Sequence, residues 1–144
     1  MPVTEHAKPD FLQFCGILNA HRVEYLVLGG WACILHGLPR TTQDVDLFIP
    51  RDPANCRRLI DALSSVGFGI AKELTPEDIL GTTIFLFADQ IKVDVFVKAW
   101  GLASYDAAAA RKQVFVVGGV TIPAVSLADL IASKATDRPQ DRED

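Results

Sequence analysis

Three aspartates stand in strand-like stretches of this chain, where that residue type is uncommon. Asp44 and Asp46 lie in the run DVDLFI, and Asp94 lies in KVDVFV. Residues two positions apart in a strand point to the same face, so Asp44 and Asp46 lie on the same face of their predicted strand. Asp94 lies on the polar face of its own run, opposite Val93 and Val95. If the two strands are neighbours, the three carboxylates converge.

Converging carboxylates predict a metal site. Anions at short range repel one another and resist the loss of water unless a cation lies among them. Oxygen ligands suit a hard divalent ion, so the expected cofactor is Mg²⁺ or Mn²⁺, held by Asp44, Asp46 and Asp94. Metals held in this way support phosphoryl or nucleotidyl transfer. The alternative is a solvated sheet face that happens to be acidic, but three aspartates of matching parity favour the metal site.

The pair Gly29-Gly30 directly follows an apolar run, Tyr25 to Leu28, that we interpret as a buried strand. Glycine lets backbone N–H groups approach a phosphate, and the start of a helix adds a favourable dipole. The pair matches neither G-x-x-x-x-G-K-[ST] nor G-x-G-x-x-G. By itself it is equally consistent with a tight strand-to-helix turn, and the acidic strand that follows favours phosphate binding.

The elements that position these residues follow from hydrophobic spacing and from helix and turn signals. The predicted helices are 10–21 with Asp10 as N-cap, 31–37, 52–66, 104–112, and 126–137 with Ser126 as N-cap. The predicted strands are 25–28, 44–49, and 82–87 with 91–97 as a hairpin. A second hairpin is expected over 114–122 around Gly118-Gly119. The predicted fold class is α+β (mixed α/β). We expect one domain over residues 1–144, in which residues 1–9 form a flexible lead-in.

Composition excludes several classes of protein. The chain has 144 residues, 49% of them hydrophobic and 22% charged, which excludes wholesale disorder. A net charge of −4 does not suit a protein that holds nucleic acid on a basic surface. No apolar stretch is long enough for a membrane helix, and the start is not a signal peptide. An odd number of cysteines without C-x-x-C spacing argues against disulfides and zinc, so we expect a cytoplasmic protein with no membrane contact.

The order of these motifs resembles the nucleotidyltransferase superfamily of the DNA polymerase beta type. In that pattern a Gly-Gly or Gly-Ser pair precedes Asp-x-Asp or Asp-x-Glu by about a dozen residues, and a third acidic residue follows further on. Here the pair is Gly29-Gly30, the motif is Asp44-Val45-Asp46, and the third acid is Asp94. The stretches GLPRTTQDVDLFI and SLADLIASKATDRPQDRED more narrowly resemble small bacterial nucleotidyltransferases of the AbiEii type, over about residues 24–144.

The resemblance implies a minimal mixed β-sheet flanked by helices. It implies that Asp44 and Asp46 bind Mg²⁺ ions that bridge the triphosphate of an NTP such as ATP. Asp94 would complete the second metal site and help to deprotonate the attacking hydroxyl, while Gly29 and Gly30 would hold the phosphates.

Three further residues match the family. Arg40 and Thr42 fit its Arg-x-Thr-x-Asp-x-Asp run, and Lys134 fits a lysine in the late helix. All three are candidate nucleotide-binding residues. The alternatives are a loop-capping role for Arg40, a turn hydroxyl for Thr42 and a solvated helix face for Lys134. Asp141 and Asp144 match the acidic part of a Lys-Asp-x-x-Asp run in which Gln140 replaces the lysine.

The expected activity is Mg²⁺-dependent transfer of an NMP from an NTP to an acceptor, with release of pyrophosphate. The acceptor is a protein, a tRNA or a small molecule. Little of the chain remains for recognising it, so a co-encoded partner protein, as in toxin–antitoxin pairs of this superfamily, or a homodimer would supply that surface. Two alternatives stay open: a binding or antitoxin module of the same fold without turnover, and a metal-dependent phosphohydrolase.

Overall fold

The computed structural model describes residues 3–40, 42, 44–65, 72–81, 84–87, 92–99 and 101–134. The helices are α1 (Val3–Ala20), α2 (Gly29–Leu35), α3 (Pro53–Ser65), α4 (Pro76–Gly81), α5 (Tyr105–Ala110) and α6 (Leu127–Lys134). The strands are β1 (Leu26–Leu28), β2 (Asp44–Phe48), β3 (Ile84–Phe87), β4 (Lys92–Phe96), β5 (Gln113–Val117) and β6 (Val120–Ala124).

The strands form one mixed sheet of six in the order β3-β4-β2-β1-β6-β5. β2 runs parallel to β4 and antiparallel to β1, while β1 runs parallel to β6. The hairpins β3–β4 and β5–β6 form the two edges, and both are antiparallel, as predicted. The predicted mixed sheet flanked by helices is confirmed.

Alternation along β2 and β4 creates the two faces that the sequence predicts. Val45 and Leu47 of β2, with Val93 and Val95 of β4, are all buried in the core. Asp44 and Asp46 point to the opposite face, where both are more accessible. A strand buried on one face and polar on the other is held in register by its apolar side chains, because a slip of one residue would expose them.

Local turn and cap chemistry agrees with the sequence at the C-terminal end of the fold. Gly118 (φ 56°) and Gly119 (φ 81°) both adopt left-handed conformations, as a two-residue type I′ hairpin turn requires. Ser126 caps α6, since its Oγ accepts a hydrogen bond from the backbone N–H of Asp129 at 3.0 Å. The part of the predicted helix beyond Lys134 lies outside the described residues.

The start of the chain differs from the prediction. Helix α1 begins at Val3, so residues 3–9 are helical, and Asp10 lies inside the helix rather than at its N-cap. Pro2 and Pro9 suggested a break, because a proline inside a helix removes one backbone donor and its ring crowds the carbonyl oxygen four residues earlier. The helix nevertheless runs through Pro9. Two further differences are that α2 begins at Gly29, two residues before the predicted start, and that α4 (Pro76–Gly81) was not predicted.

Several residues that could have carried chemistry are part of the core instead. All three cysteines, Cys15, Cys33 and Cys56, are buried and free of disulfides. Trp31 stacks on Phe11 with ring centroids 4.0 Å apart. His36 makes a 2.9 Å hydrogen bond between its Nε2 and the carbonyl oxygen of Val125. Of the described helices, none combines the length and the apolarity needed to cross a membrane.

Candidate active site

The register of the sheet brings two of the predicted carboxylates face to face. β2 and β4 are parallel neighbours in which Asp46 lies directly opposite Asp94. On its other side Asp46 is opposite Leu28, the last residue of β1. Asp46 therefore lies between the strand that carries Asp94 and the turn that carries Gly29, so the predicted convergence holds for this pair.

The Asp46–Asp94 pair is strongly perturbed. Burial raises the pKa of Asp46 to about 7, and the neighbouring Asp94 carboxylate and its hydrogen bond to Asp46 add to the effect. Burial also raises the pKa of Asp94, while the Lys92 ammonium opposes that rise. Two carboxyl groups in hydrogen-bond contact titrate as a unit, so the pair retains a proton more readily than isolated aspartates do.

Lys92 joins the third carboxylate to this pair. Its Nζ lies 3.7 Å from Oδ2 of Asp94 and 3.9 Å from Oδ2 of Asp44. The Asp44 side chain is 51% exposed, whereas that of Asp94 is 11% exposed. The protein thus supplies its own cation between the two carboxylates. Alternation along β4 puts Lys92 on the same face as Asp94, but no role was predicted for it.

The donor set fits a metal that arrives together with a phosphate. Oδ1 of Asp94 is buried and has no hydrogen-bond partner among the described residues. An unpaired buried carboxylate oxygen is costly, and a bound cation would relieve that cost. Within the described part of the chain no group of three or more His, Cys, Asp or Glu side chains could hold a metal ion. Mg²⁺ is usually bound by only one or two carboxylates plus substrate phosphates, so two carboxylates suffice for a Mg²⁺–triphosphate complex.

The two glycines pack directly against site residues. Gly29 has φ +66°, and a Cβ added there would clash with Oδ2 of Asp46. A Cβ on Gly30 would lie 2.9 Å from Cβ of Thr42. The turn therefore needs glycine at both positions for packing. Because Gly29 has no Cβ, its backbone lies directly beside the Asp46 carboxylate. Phosphate binding by these glycines was predicted from the sequence, whereas their close packing against Asp46 and Thr42 was not.

The remaining predicted residues lie around this centre. The Thr42 hydroxyl accepts a hydrogen bond from the backbone N–H of Asp44 at 3.1 Å, so it has the role of a turn hydroxyl at the entry to β2. Arg40 is exposed, and its Nη1 lies 3.9 Å from Sγ of Cys33. Lys134 is the last residue of α6, a helix that packs against α2. Gln140, Asp141 and Asp144 lie outside the described residues.

Two clefts lie at the C-terminal ends of β2 and β4, and neither is lined by Asp44, Asp46 or Asp94. Phe48 and Phe96 follow Asp46 and Asp94 by two residues, so they point to the same face. They line a cleft of about 460 Å³ together with the segment after β4. A neighbouring cleft of about 550 Å³ shares Lys98, Ala103 and Ser104 with the first one. Both clefts therefore lie past the acidic pair along the strands, where they offer room for a second molecule.

Comparison with known proteins supports the fold. No family model matches the chain, and no curated protein does. The structure is similar to that of a candidate nucleotidyltransferase from Thermotoga maritima, with a TM-score of 0.57 and 20% identity over 84% of this chain and 80% of that one. It is also similar to an antigenic nucleotidyltransferase-like protein from Paracoccidioides brasiliensis, with a TM-score of 0.60 and 19% identity. That match covers 91% of this chain and 65% of the other. The chain therefore has a nucleotidyltransferase-like fold.

Proposed function

We propose that this protein is a Mg²⁺-dependent nucleotidyltransferase of the small AbiEii type. It transfers an NMP from an NTP to an acceptor hydroxyl and releases pyrophosphate. The observation that carries the proposal is the Asp46–Asp94 pair, which is set against the Gly29 turn and has a buried carboxylate oxygen without a hydrogen-bond partner among the described residues. A buried acidic pair costs stability unless it has a cationic ligand, and the absence of a Cβ at Gly29 lets the Asp46 carboxylate lie directly against the backbone at the start of α2.

Each residue of the site has a separate role in the proposed transfer. Asp46 and Asp94 would hold Mg²⁺ together with the substrate phosphates, and the ion would offset the negative charge of the triphosphate and the charge that develops at the α-phosphorus during displacement. Asp44, the third predicted ligand, lies beside them on the exposed side, with Lys92 between it and Asp94. Gly29 and Gly30 contact the phosphates through the backbone. The Asp94 carboxylate takes the proton of the acceptor hydroxyl, a role that suits a pKa raised toward neutrality. The acceptor O–P bond forms, the bond from the α-phosphorus to the bridging oxygen breaks, and pyrophosphate leaves with that electron pair.

The cleft beyond Phe48 and Phe96 is the place for the acceptor. Phe48 and Phe96, which line it, are on the carboxylate face about 7 Å along the strands from the acidic pair, the length of two residues. A protein, a tRNA end or a small molecule could each present a hydroxyl there. A co-encoded partner, as in a toxin–antitoxin pair, would extend this surface.

A binding module without turnover is the second candidate. It is favoured by Lys92, whose ammonium already lies between Asp44 and Asp94 where a catalytic cation would have to act. In such a module the acidic face would be neutralised by the protein itself and would serve to bind a partner.

Calorimetric titration of each NTP in Mg²⁺ tests the site. We expect one or more NTPs to bind the wild-type protein and to bind at least ~10-fold more weakly to Asp46→Asn, because the variant loses one anionic metal ligand. Asp61→Asn is the matched control, since Asp61 is an exposed carboxylate on α3. Its affinity should equal that of the wild type. If no NTP binds to the folded wild-type protein, the enzyme proposal is rejected.

The product then separates the candidate functions. With the bound NTP and a cell extract as a source of acceptor, a nucleotidyltransferase releases pyrophosphate and labels the acceptor with the NMP. A phosphohydrolase releases inorganic phosphate without labelling. NTP binding with neither product supports the module without turnover.

A further inference from the structure

The edge strand β5 exposes an unusual amount of apolar surface. Val116 is 70% exposed, Val114 is 49% exposed and Val117 is 39% exposed. β5 lies at the end of the sheet order, and among the described strands only β6 pairs with it. Proteins normally protect such edges with charges, proline or a bulge, because a free edge can pair with another strand. The strand Gln113–Val117 has no charged residue, no proline and an unbroken register.

The register identifies the backbone groups that face outward. Val117 and Val120 close a two-residue hairpin and are therefore a hydrogen-bonded pair, and pairs alternate from there. Val114 opposite Pro123 is then a non-hydrogen-bonded pair, which agrees with the missing N–H of Pro123. It follows that the N–H and C=O groups of Val114 and Val116 point away from β6 toward the free edge.

These outward groups are self-complementary. In an antiparallel pairing about a two-fold axis at Phe115, Val114 of one copy lies opposite Val116 of the other, and the four residues form four hydrogen bonds. Lys112 then lies opposite Gly118, so no like charges meet. The valines form two cross-strand pairs of β-branched side chains, a favourable combination in sheets. The sequence after α6, ATDRPQDRED, has only Ala135 as an apolar residue and does not suit this edge.

We propose that β5 pairs antiparallel with β5 of a second copy of this chain, so that two six-stranded sheets join into one continuous sheet. β6 and β1 separate β5 from β2, which places the acidic site about 14 Å from the interface at the usual strand spacing. Both sites therefore stay open in the dimer. The proposal does not depend on the proposed function, because it uses no residue of the site.

Sedimentation velocity over a concentration series tests this interface. We expect the wild type to be a dimer and Val116→Pro to dissociate at least ~10-fold more readily, because two of the four intermolecular hydrogen bonds lose their donor. The N–H of Val116 does not pair with β6, so proline there is compatible with the hairpin of the single copy. Val116→Lys should weaken the dimer as well, since each copy then brings a charge to the edge.

Ile131→Lys is the matched control. Ile131 is 61% exposed on α6, so the variant has the same change of charge and a similar loss of exposed apolar surface away from the edge. It should remain a dimer, and circular dichroism should show all variants folded. A wild-type protein that is monomeric at hundreds of micromolar overturns the proposal. So does a dimer that Val116→Pro and Val116→Lys leave unchanged.

Discussion

Gly29 controls the position of the Asp46 carboxylate. Its φ of +66° is a left-handed conformation, and its missing Cβ leaves the space that Oδ2 of Asp46 occupies. Gly29→Ala should therefore lower the free energy of unfolding for two reasons. It introduces backbone strain of about 1–2 kcal/mol, and its Cβ displaces the Asp46 carboxylate. We expect a loss of at least ~2 kcal/mol in the free energy of unfolding and a loss of Mg²⁺–NTP binding. Urea unfolding and calorimetry measure the two effects.

Gly37→Ala is the matched control for that prediction. Gly37 has φ +88°, also left-handed, but no atom of the described residues lies within 4 Å of a Cβ added there. This variant should lose only the backbone strain and should keep nucleotide binding. Equal losses of stability and unchanged binding in both variants would show that Asp46 does not depend on the space at Gly29.

The parity of the aspartates could be predicted from the sequence, while the position of Lys92 could not. Alternation alone puts Asp44 and Asp46 on one face, and this holds for any partner strand. The ammonium of Lys92 lies near Asp44 only because β2 and β4 are parallel and pair Asp44 with Lys92. A shift of register would leave the sequence pattern unchanged and move that charge away, so spacing contains no signal for it.

At the scale of elements, an ion pair joins α6 to the start of β5. Nε and Nη2 of Arg111 donate to the two carboxylate oxygens of Asp129 at 3.0 and 3.1 Å. Asp129 is buried and Arg111 is half exposed. Such a two-pronged contact fixes both distance and orientation, so it holds α6 against the segment that leads into the β5–β6 hairpin.

Arg111→Met should destabilise the protein by about 3 kcal/mol, because it leaves the buried Asp129 carboxylate without its counter-charge. The double variant Arg111→Met/Asp129→Leu should recover most of that loss, since both charges are then absent. Chemical unfolding of the two variants measures the difference. Arg57→Met, at an exposed arginine on α3, is the control and should stay within about 0.5 kcal/mol of the wild type. If the double variant is no more stable than the single one, the pair is not the cause of the loss.

The elements themselves were predicted well where a local signal exists. Gly118-Gly119 predicted a hairpin and Ser126 predicted a helix start, because each side chain, or its absence, acts on its own neighbours. Helix α1 before Phe11 was missed, since prolines are local signals for a break that the rest of the helix can override. The parallel pairing of β1 with β6 joins residues about a hundred positions apart, so no local pattern indicates it.

At the scale of the whole molecule, the acidic pair lowers stability at neutral pH while it prepares a site for a cation. The apolar face of β2 and β4 fixes both strands in the core, and this forces Asp46 and Asp94 together on the other face. The packing of the sheet thus maintains a repulsive contact that the unfolded chain does not have. Such a cost persists only where the surrounding structure imposes it, and it marks functional sites in many proteins.

The pH dependence of stability follows from this pair. Its pKa values are raised above those of the unfolded chain, that of Asp46 to about 7, so the folded protein binds more protons than the unfolded one between about pH 4 and 7. Stability contributed by the pair therefore falls as pH rises through that interval, by at most ~1.4 kcal/mol per pH unit for each extra proton bound.

Asp46→Asn removes the repulsion and should be more stable than the wild type at pH 8, with a smaller advantage at pH 5. Thermal or urea unfolding from pH 4 to 8 measures that difference, in which titrations common to both proteins cancel. Asp61→Asn should follow the wild type throughout. Parallel profiles for the wild type and Asp46→Asn would contradict the coupling of Asp46 to Asp94, because a solvated acidic face titrates alike in the folded and unfolded chains.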